Sequence, residues 1–156
     1  MYKRQRFRTF SKAYGLAGAR VGYVIGHPDI VKAFDKIRNH FGIARLSQIA
    51  ALAALKDQAW LHHIIKHVKT SRERIYEIAK ANGLMPVLSS TNFVAVDCGR
   101  DGNYARSVVD GLMKHGIFIR MPGVAPLNRC VRISCGTPEQ LDLLEKAFPL
   151  TLQTIL

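Results

Sequence analysis

The spacing of apolar residues is most regular in the middle of the chain. They recur at intervals of three and four, at Trp60, Leu61, Ile64, Ile65, Val68, Ile75 and Ile78. This spacing places them on one face of an α-helix. Gly83 follows, and glycine commonly ends a helix because it adopts the left-handed conformation without steric cost. The pattern therefore predicts one long helix over residues 58–81.

Shorter patterns precede this helix. Residues 20–26 form a β-rich run that ends at a glycine. Pro28 opens a predicted helix that ends at Gly42. Its apolar residues are expected to form a stripe facing the core, namely Ile30, Val31, Phe34, Ile37 and Phe41. Ser47 is predicted to cap a further helix, which is apolar nearly all round over residues 49–55. We expect that helix to be buried between other elements or at a subunit interface.

The pattern changes after Gly83. A helix is predicted over residues 104–115, and a second begins at the capping box Thr137-Pro138-Glu139-Gln140 and runs through Phe148. Strands are predicted at four places, namely residues 85–88, 92–97, 117–120 and 131–134. Strands and helices thus alternate in a compact α+β unit that begins at about residue 83.

The composition of the chain excludes several classes of protein. Hydrophobic residues make up 48% of the 156-residue chain, which is ample for a buried core. The longest apolar stretch, residues 49–55, is too short to span a bilayer, so we expect no membrane partner. No apolar segment follows the basic residues at the N-terminus, so no signal peptide is predicted. The three cysteines lack a CxxC spacing and indicate reduced thiols in a cytoplasmic protein.

The net charge of +12 raises nucleic-acid binding as an alternative function. Four of the positive charges lie in the first eight residues, at Lys3, Arg4, Arg6 and Arg8, and the others are scattered, often beside acids. No aromatic residues interleave with basic ones along a strand, as a stacking platform for RNA requires. The pattern disfavours nucleic-acid binding. A basic nucleic-acid-binding module nevertheless remains the competing interpretation from another class of protein.

Histidines in the predicted long helix raise a metal site as a further alternative. His63 and His67 lie one helical turn apart. No acid or third ligand lies at a suitable spacing from them, whereas a protein zinc site needs three or four ligands. We therefore predict that this helix face is solvated and that the chain has no metal site.

One stretch near the start combines groups suited to an anionic cofactor that carries an aldehyde. Lys12 follows the hydroxyl residues Thr9 and Ser11, and Arg20 lies eight positions after the lysine. The lysine amine can bond covalently to an aldehyde, while the hydroxyls and the guanidinium can hold a phosphate. The glycines between Lys12 and Arg20 allow the backbone to turn tightly and to approach a ligand closely.

This stretch resembles the lysine motif S-K-x-x-G-L-x-G-x-R-x-G of fold-type I aminotransferases that depend on pyridoxal phosphate, and residues 11–22 match the whole motif. The resemblance extends over nearly everything from Arg8 onward. Residues 90–93 are similar to the family's S-x-x-N-F segment, residues 116–120 to its G-I-x-x-R strand, and residues 130–137 to its L-R-I-x-x-G-T segment. Among the branches of the family, the chain most resembles the histidinol-phosphate aminotransferases.

The resemblance implies roles for particular residues. Lys12 would be the catalytic lysine, and Thr9, Ser11, Lys12 and Arg20 would bind pyridoxal 5'-phosphate. Arg120 and Arg132 would bind the anionic group of the substrate. The residues alone leave the two arginines open, because an arginine in an apolar strand needs either a buried acid or an anion.

The resemblance also implies a reaction and partners. The substrates would be an amino acid or histidinol phosphate together with a 2-oxo acid, and the full-length protein would be a homodimer. A pyridoxal-phosphate-dependent decarboxylase or lyase of the same fold remains an alternative, since a fold does not fix the reaction.

The expected fold class is α/β, comprising the end of the large domain of a pyridoxal-phosphate transferase and then the small α+β domain. Residues 8–58 would be a remnant of the large domain, residues 59–82 a connecting helix and residues 83–156 the small domain. Residues 1–7 are interpreted as a non-native tail, because Tyr-Lys-Arg-Gln-Arg-Phe cannot fill a buried parallel strand. The family's N-terminal half is absent, so we expect the fragment to be inactive alone.

Overall fold

The structure of the protein is a computed structural model that describes residues 5–155. Contacts within the chain define two compact units, Met1–Ile65 and Lys66–Leu156. The boundary between them falls inside one long helix. The domain limits expected from the sequence stay predictions, and the predicted non-native tail falls partly on residues 1–4, outside the described residues.

The first unit begins with two antiparallel strands, β1 (Arg6–Thr9) and β2 (Gly22–Ile25). Helix α1 (Pro28–Ala33) follows and passes into a 3-10 turn over Phe34–Lys36. Helix α2 (Arg45–Lys56) completes this part of the chain. β2 lies within the β-rich run predicted over residues 20–26, and Pro28 opens α1 as predicted.

The helix predicted from Pro28 to Gly42, with its apolar stripe, is wrong. The stripe from Ile30 to Phe41 does not form, because α1 ends at Ala33 and the tighter 3-10 turn that follows takes the later side chains off the α-helical face. Ile37 and Phe41 are 82% and 94% exposed.

Ser47 does not cap α2, because the amide of Gln48 already donates to the carbonyl of Ala44 at 3.2 Å and the helix begins at Arg45. Helix α2 is also more exposed than its apolar sequence predicted. Only Ala51 is buried, whereas Leu46, Ile49 and Leu52 lie largely in solvent. Within the described residues, therefore, α2 is not buried between other elements. The alternative expectation, that its apolar surface lies at a subunit interface, stays a prediction.

The long helix predicted over residues 58–81 is confirmed as α3 (Gln58–Ala81). Gly83 ends it with a φ of 72°, and its amide donates to the carbonyl of Lys80 at 3.0 Å. The amide of Leu84 donates to the carbonyl of Ala79 at the same distance, which satisfies a second carbonyl at the helix end.

The second unit is built on a three-stranded antiparallel sheet in the order β3 (Met85–Pro86), β4 (Phe93–Asp97) and β5 (Cys130–Ser134). Helices α4 (Gly102–Lys114) and α5 (Pro138–Thr154) complete it. One face of the sheet contributes four residues to the hydrophobic core, Val94, Val96, Val131 and Ile133. Their neighbours along the strands therefore lie on the opposite, more open face.

Two predictions for the second unit are wrong, namely one strand and the end of one helix. Residues 117–120 do not form a strand, since the amide of Ile117 donates to the carbonyl of Leu112 at the end of α4 and only Arg120 forms an isolated bridge to β5. Helix α5 begins at the predicted capping box but continues past Phe148 to Thr154, with Pro149 inside it. Phe148 and Thr151 are both buried, and this packing holds the helix together across the proline.

Residues 5–155 contain no helix that is long and apolar enough to cross a membrane. The same residues hold no group of three or more His, Cys, Asp or Glu side chains placed to bind a metal ion.

Candidate active site

The predicted catalytic lysine lies in the loop that joins β1 to β2. Phe10 anchors this loop, since its ring is buried and lies 4.9 Å from that of Tyr14, between centroids. The amide of Leu16 donates to the carbonyl of Phe10 at 2.9 Å, and the indole nitrogen of Trp60 donates to the carbonyl of Ala13 at 3.1 Å. The backbone on both sides of Lys12 is therefore held, while the side chain of Lys12 is exposed.

The two hydroxyl residues beside the lysine are in direct contact. The hydroxyl of Thr9 donates to Oγ of Ser11 at 2.9 Å, and the amide of Ser11 donates back to Oγ1 of Thr9 at 3.1 Å. Both side chains are accessible, Thr9 being exposed and Ser11 half-buried. The pair thus forms a compact group of hydroxyls shortly before Lys12 in the chain.

Arg20 has an unusual backbone conformation. Its φ is 50°, in the left-handed region, directly after the 3-10 turn Ala17–Ala19. Nη1 of Arg20 donates to the carbonyl of Ala17 at 2.8 Å, which folds the side chain back over that turn. A left-handed conformation is costly for a side chain with a Cβ, and such residues cluster at ligand-binding sites. The other N–H groups of this exposed guanidinium remain available to an anion.

Arg120 and Arg132 lie opposite each other in the second unit. The amide of Arg120 donates to the carbonyl of Arg132 at 3.2 Å, and the amide of Arg132 donates to the carbonyl of Arg120 at 2.6 Å. Directly opposed residues of antiparallel strands point to the same face. Since Val131 and Ile133 point into the core, Arg132 and Arg120 lie on the open face of the sheet.

Neither guanidinium has a carboxylate partner among residues 5–155. Cζ of Arg132 lies 5.0 Å from the ring centroid of Phe93, and Cζ of Arg120 lies 5.8 Å from that of Phe118. Nε of Arg132 is buried without a hydrogen-bond partner. Two positive charges therefore lie side by side without a compensating acid, an arrangement that suits an anionic ligand.

Asp97 is occupied by partners, and the cysteines Cys98 and Cys130 are inert. The guanidinium of Arg129 and the amide of Gly99 both bind the carboxylate of Asp97, and the arginine is the main cause of the lowered pKa of that group. Burial raises the pKa of the Cys98 thiol to about 11 and also raises the pKa of Cys130. These cysteines are protonated at neutral pH and are poor nucleophiles.

Each unit thus brings together part of the predicted site. In the first unit, Thr9 ends β1, and Ser11, Lys12 and Arg20 lie in the loop that follows it. In the second unit, Arg120 and Arg132 share one face of the sheet. Sequence analysis missed the two aromatic rings beside the arginines. The contact of Phe93 with Arg132 depends on the register of β4 against β5, which no spacing along the chain reveals, whereas Phe118 lies only two residues before Arg120.

The sequence match and the fold together define the class of protein. Residues 6–148 match the family model described as aminotransferase class I and II. The chain therefore belongs to the class I and II aminotransferases. The fold class and the family expected from the sequence are confirmed, and the roles of the individual site residues stay predictions.

Similar proteins from several bacteria carry the name histidinol-phosphate aminotransferase. The chain is 40% identical to that of Geobacillus thermodenitrificans (strain NG80-2) over 135 residues, which cover 86% of this chain and 36% of the relative. It is 41% identical to that of Bacillus licheniformis over 133 residues, which cover 85% and 36%.

A solved structure is similar over a larger share of the chain. It is the histidinol-phosphate aminotransferase from Sinorhizobium meliloti in complex with pyridoxal-5'-phosphate. The sequence identity is 57% and the TM-score is 0.93, over 97% of this chain and 42% of that one. The chain thus spans about two fifths of the length of these relatives.

Proposed function

We propose that the chain supplies the catalytic lysine and the substrate-binding arginines of a pyridoxal-phosphate-dependent aminotransferase. The enzyme transfers an amino group between an amino acid or histidinol phosphate and a 2-oxo acid. The exposed Lys12, held in a loop with the hydroxyl pair and Arg20, is the observation that carries this proposal. The similarity to histidinol-phosphate aminotransferases supports the choice of substrate.

The donors of the loop fit the chemistry of pyridoxal phosphate. The hydroxyls of Thr9 and Ser11 and the free N–H groups of Arg20 are suited to phosphate oxygens, because charge-assisted hydrogen bonds to phosphate are strong. The amine of Lys12 is suited to an aldehyde carbon. Pyridoxal phosphate carries both groups, so these four residues would hold it.

The chain's own residues then have distinct tasks. Nζ of Lys12 would hold the cofactor at its aldehyde carbon and would be a free amine while a substrate amine occupies that carbon. Pyridoxal phosphate, when bound, withdraws electrons from the α-carbon of the substrate and makes its proton acidic. Nζ of Lys12 takes up that proton as a general base and holds it until it is returned. Arg132 and Arg120 orient the substrate by its carboxylate or phosphate.

The proposed partners follow from the same assignment. We infer that the full-length enzyme is a cytoplasmic homodimer. The exposed apolar side chains of α2, at Leu46, Ile49 and Leu52, support a subunit contact in the first unit.

Chemical trapping tests the assignment of Lys12. Pyridoxal phosphate is added to the protein, the bond to lysine is fixed with borohydride, and the labelled position is located by peptide mass spectrometry. We expect the label chiefly on Lys12, and less of it after Arg20→Ala. Lys36→Ala is the matched control and should leave the labelling of Lys12 unchanged. An even distribution of label over the chain's lysines contradicts the proposal.

A chimera tests the reaction. Residues 8–148 of this chain replace the matched segment of the Sinorhizobium meliloti relative, and glutamate formation from histidinol phosphate and 2-oxoglutarate is measured with pyridoxal phosphate present. We expect transamination that Lys12→Ala abolishes and that Lys36→Ala preserves. Release of carbon dioxide from an amino acid supplied in place of histidinol phosphate, without amino transfer, would instead identify a decarboxylase.

A further inference from the structure

We propose that Phe93 is a positioning residue, which holds the guanidinium of Arg132 ready for the anionic group of the substrate. This inference rests on the proposed function, which gives Arg132 its ligand. It adds a residue to which neither the sequence nor the resemblance to the family assigned a task.

The strand register places Phe93 beside Arg132. Ala95 of β4 lies opposite Arg132 of β5, and Phe93 lies opposite Ser134. Phe93 and Arg132 are therefore diagonal neighbours on the open face of the sheet, close enough for long and aromatic side chains to touch. The distance of 5.0 Å from Cζ of Arg132 to the ring centroid lies within the range of cation–π attraction.

The backbone of Phe93 is fixed by its neighbours. Its carbonyl accepts hydrogen bonds from the hydroxyl of Ser89 at 2.6 Å and from that of Thr91 at 3.2 Å. Ser89 is held in turn, because its amide donates to Oη of Tyr76 at 2.8 Å. The amide of Cys135 donates to the carbonyl of Asn92, the residue before Phe93, at 2.9 Å. The ring therefore starts from a backbone that is already in place.

Two other arginines of this unit are held by carboxylates instead. Arg74 lies 2.7 Å from Glu145 and also contacts Asp142, and Arg129 lies 2.7 Å from Asp97. These carboxylates orient an arginine but neutralise its charge. A phenyl ring restricts the guanidinium through its face and carries no net charge, so the full positive charge of Arg132 remains for a ligand. An anion-binding arginine requires this combination of order and uncompensated charge.

Arg120 provides the internal comparison. Its ring partner, Phe118, is 68% exposed and lies farther away, at 5.8 Å. Phe118 belongs to a segment without strand structure. Removing this ring should therefore leave the setting of Arg132 unchanged.

Site-resolved NMR tests the proposal on the whole chain. The Nε–Hε signal of Arg132 is identified by its loss in Arg132→Lys and followed while inorganic phosphate replaces chloride at constant ionic strength. In the wild type we expect an upfield position caused by the ring, and a saturable shift with phosphate. Phe93→Leu should remove the upfield position and weaken phosphate binding at Arg132 about five-fold. Phe93→Tyr, which keeps a ring face, should preserve both, and Phe118→Leu should leave the upfield position unchanged.

Each outcome of this experiment either supports or overturns the proposed role of Phe93. If Phe93→Leu leaves phosphate binding at Arg132 unchanged, whether or not the signal moves, Phe93 has no positioning role. Phe93→Ile is the second variant without a ring and suits a strand, so the comparison survives if the leucine variant does not fold. If the wild-type Arg132 signal does not respond to phosphate at all, the ligand role of Arg132 under the proposed function fails, and this inference fails with it.

Discussion

Arg20 and Arg132 are two arginines without a carboxylate partner among the described residues, and the proposal gives them different anions. Arg20 shares the loop of Lys12 and should hold the cofactor phosphate, whereas Arg132 lies on the sheet and should hold the substrate. In the chimera, Arg20→Ala should weaken cofactor retention at every substrate concentration. Arg132→Ala should retain the cofactor and raise the apparent substrate constant about ten- to a hundred-fold, the effect of losing a charge-assisted contact.

Cofactor titration and steady-state kinetics on both variants measure these effects. Lys36→Ala again serves as the control, because Lys36 lies in an exposed turn that is separate from the loop of Lys12. If both arginine variants lose the cofactor equally and neither alters substrate dependence, the division of labour is wrong.

The buried thiol of Cys98 gives a pH-dependent prediction. Burial raises its pKa from the usual 9.0 to about 11, so the folded protein holds this proton more tightly than the unfolded chain. The resulting stabilisation is complete below pH 9.0 and is lost as the pH rises to about 11. Urea unfolding of the wild type and Cys98→Ala over this range measures the difference. The variant's stability should fall less steeply, and parallel slopes would contradict the prediction.

At the residue scale, much of the candidate site was visible in the sequence. The stretch around Lys12 indicates four candidate residues, because they lie close together along the chain. The resemblance names Arg120 and Arg132. It does not reveal the isolated bridge between them, because residues 117–120 were expected to form a full strand. Phe93 could not be assigned a role, because its contact with Arg132 depends on strand register.

Among the elements, α4 and α5 pack closely enough to require a glycine. A Cβ added to Gly111 would lie 2.5 Å from Cγ2 of Thr151, which is fully buried and β-branched. We expect Gly111→Ala to destabilise the protein by roughly 1–3 kcal/mol through overpacking, despite the higher helix propensity of alanine. Thr151→Ser removes the clashing methyl group and should restore part of the loss in the double variant. Chemical unfolding of the three variants measures this, and a stabilised Gly111→Ala variant would refute it.

Helices were predicted correctly where residues close together in the sequence determine them. Helix α3 was predicted over its observed range because its spacing, its length and the glycine after it agree. The stripe expected from Ile30 to Phe41 failed because apolar spacing alone does not reveal the 3-10 turn that interrupts it. The expected end of α5 at Phe148 failed because tertiary burial on both sides of Pro149 outweighs the local effect of proline.

For the whole molecule, burial is distributed unevenly between the two units. The second unit holds one cluster of eighteen buried residues. In the first, Phe10 and Ala51 are the buried residues among positions 5–65. Amides of β4, β5, α4 and α5 should therefore exchange slowest with deuterium, and those of residues 28–43 fastest. Hydrogen exchange followed by mass spectrometry measures this order, and equal protection in both segments would show that burial does not set local stability here.

The opposed pair Arg120 and Arg132 also has a thermodynamic consequence. Two like charges on opposed residues, with no carboxylate partner among residues 5–155, oppose folding of the anion-free protein, and an anion that binds both offsets that repulsion. An anion that binds only the folded state stabilises it. The free energy of unfolding rises by about 1.4 kcal/mol for each tenfold rise in free anion concentration above the dissociation constant. The melting temperature of this protein should therefore depend on which anion the buffer contains.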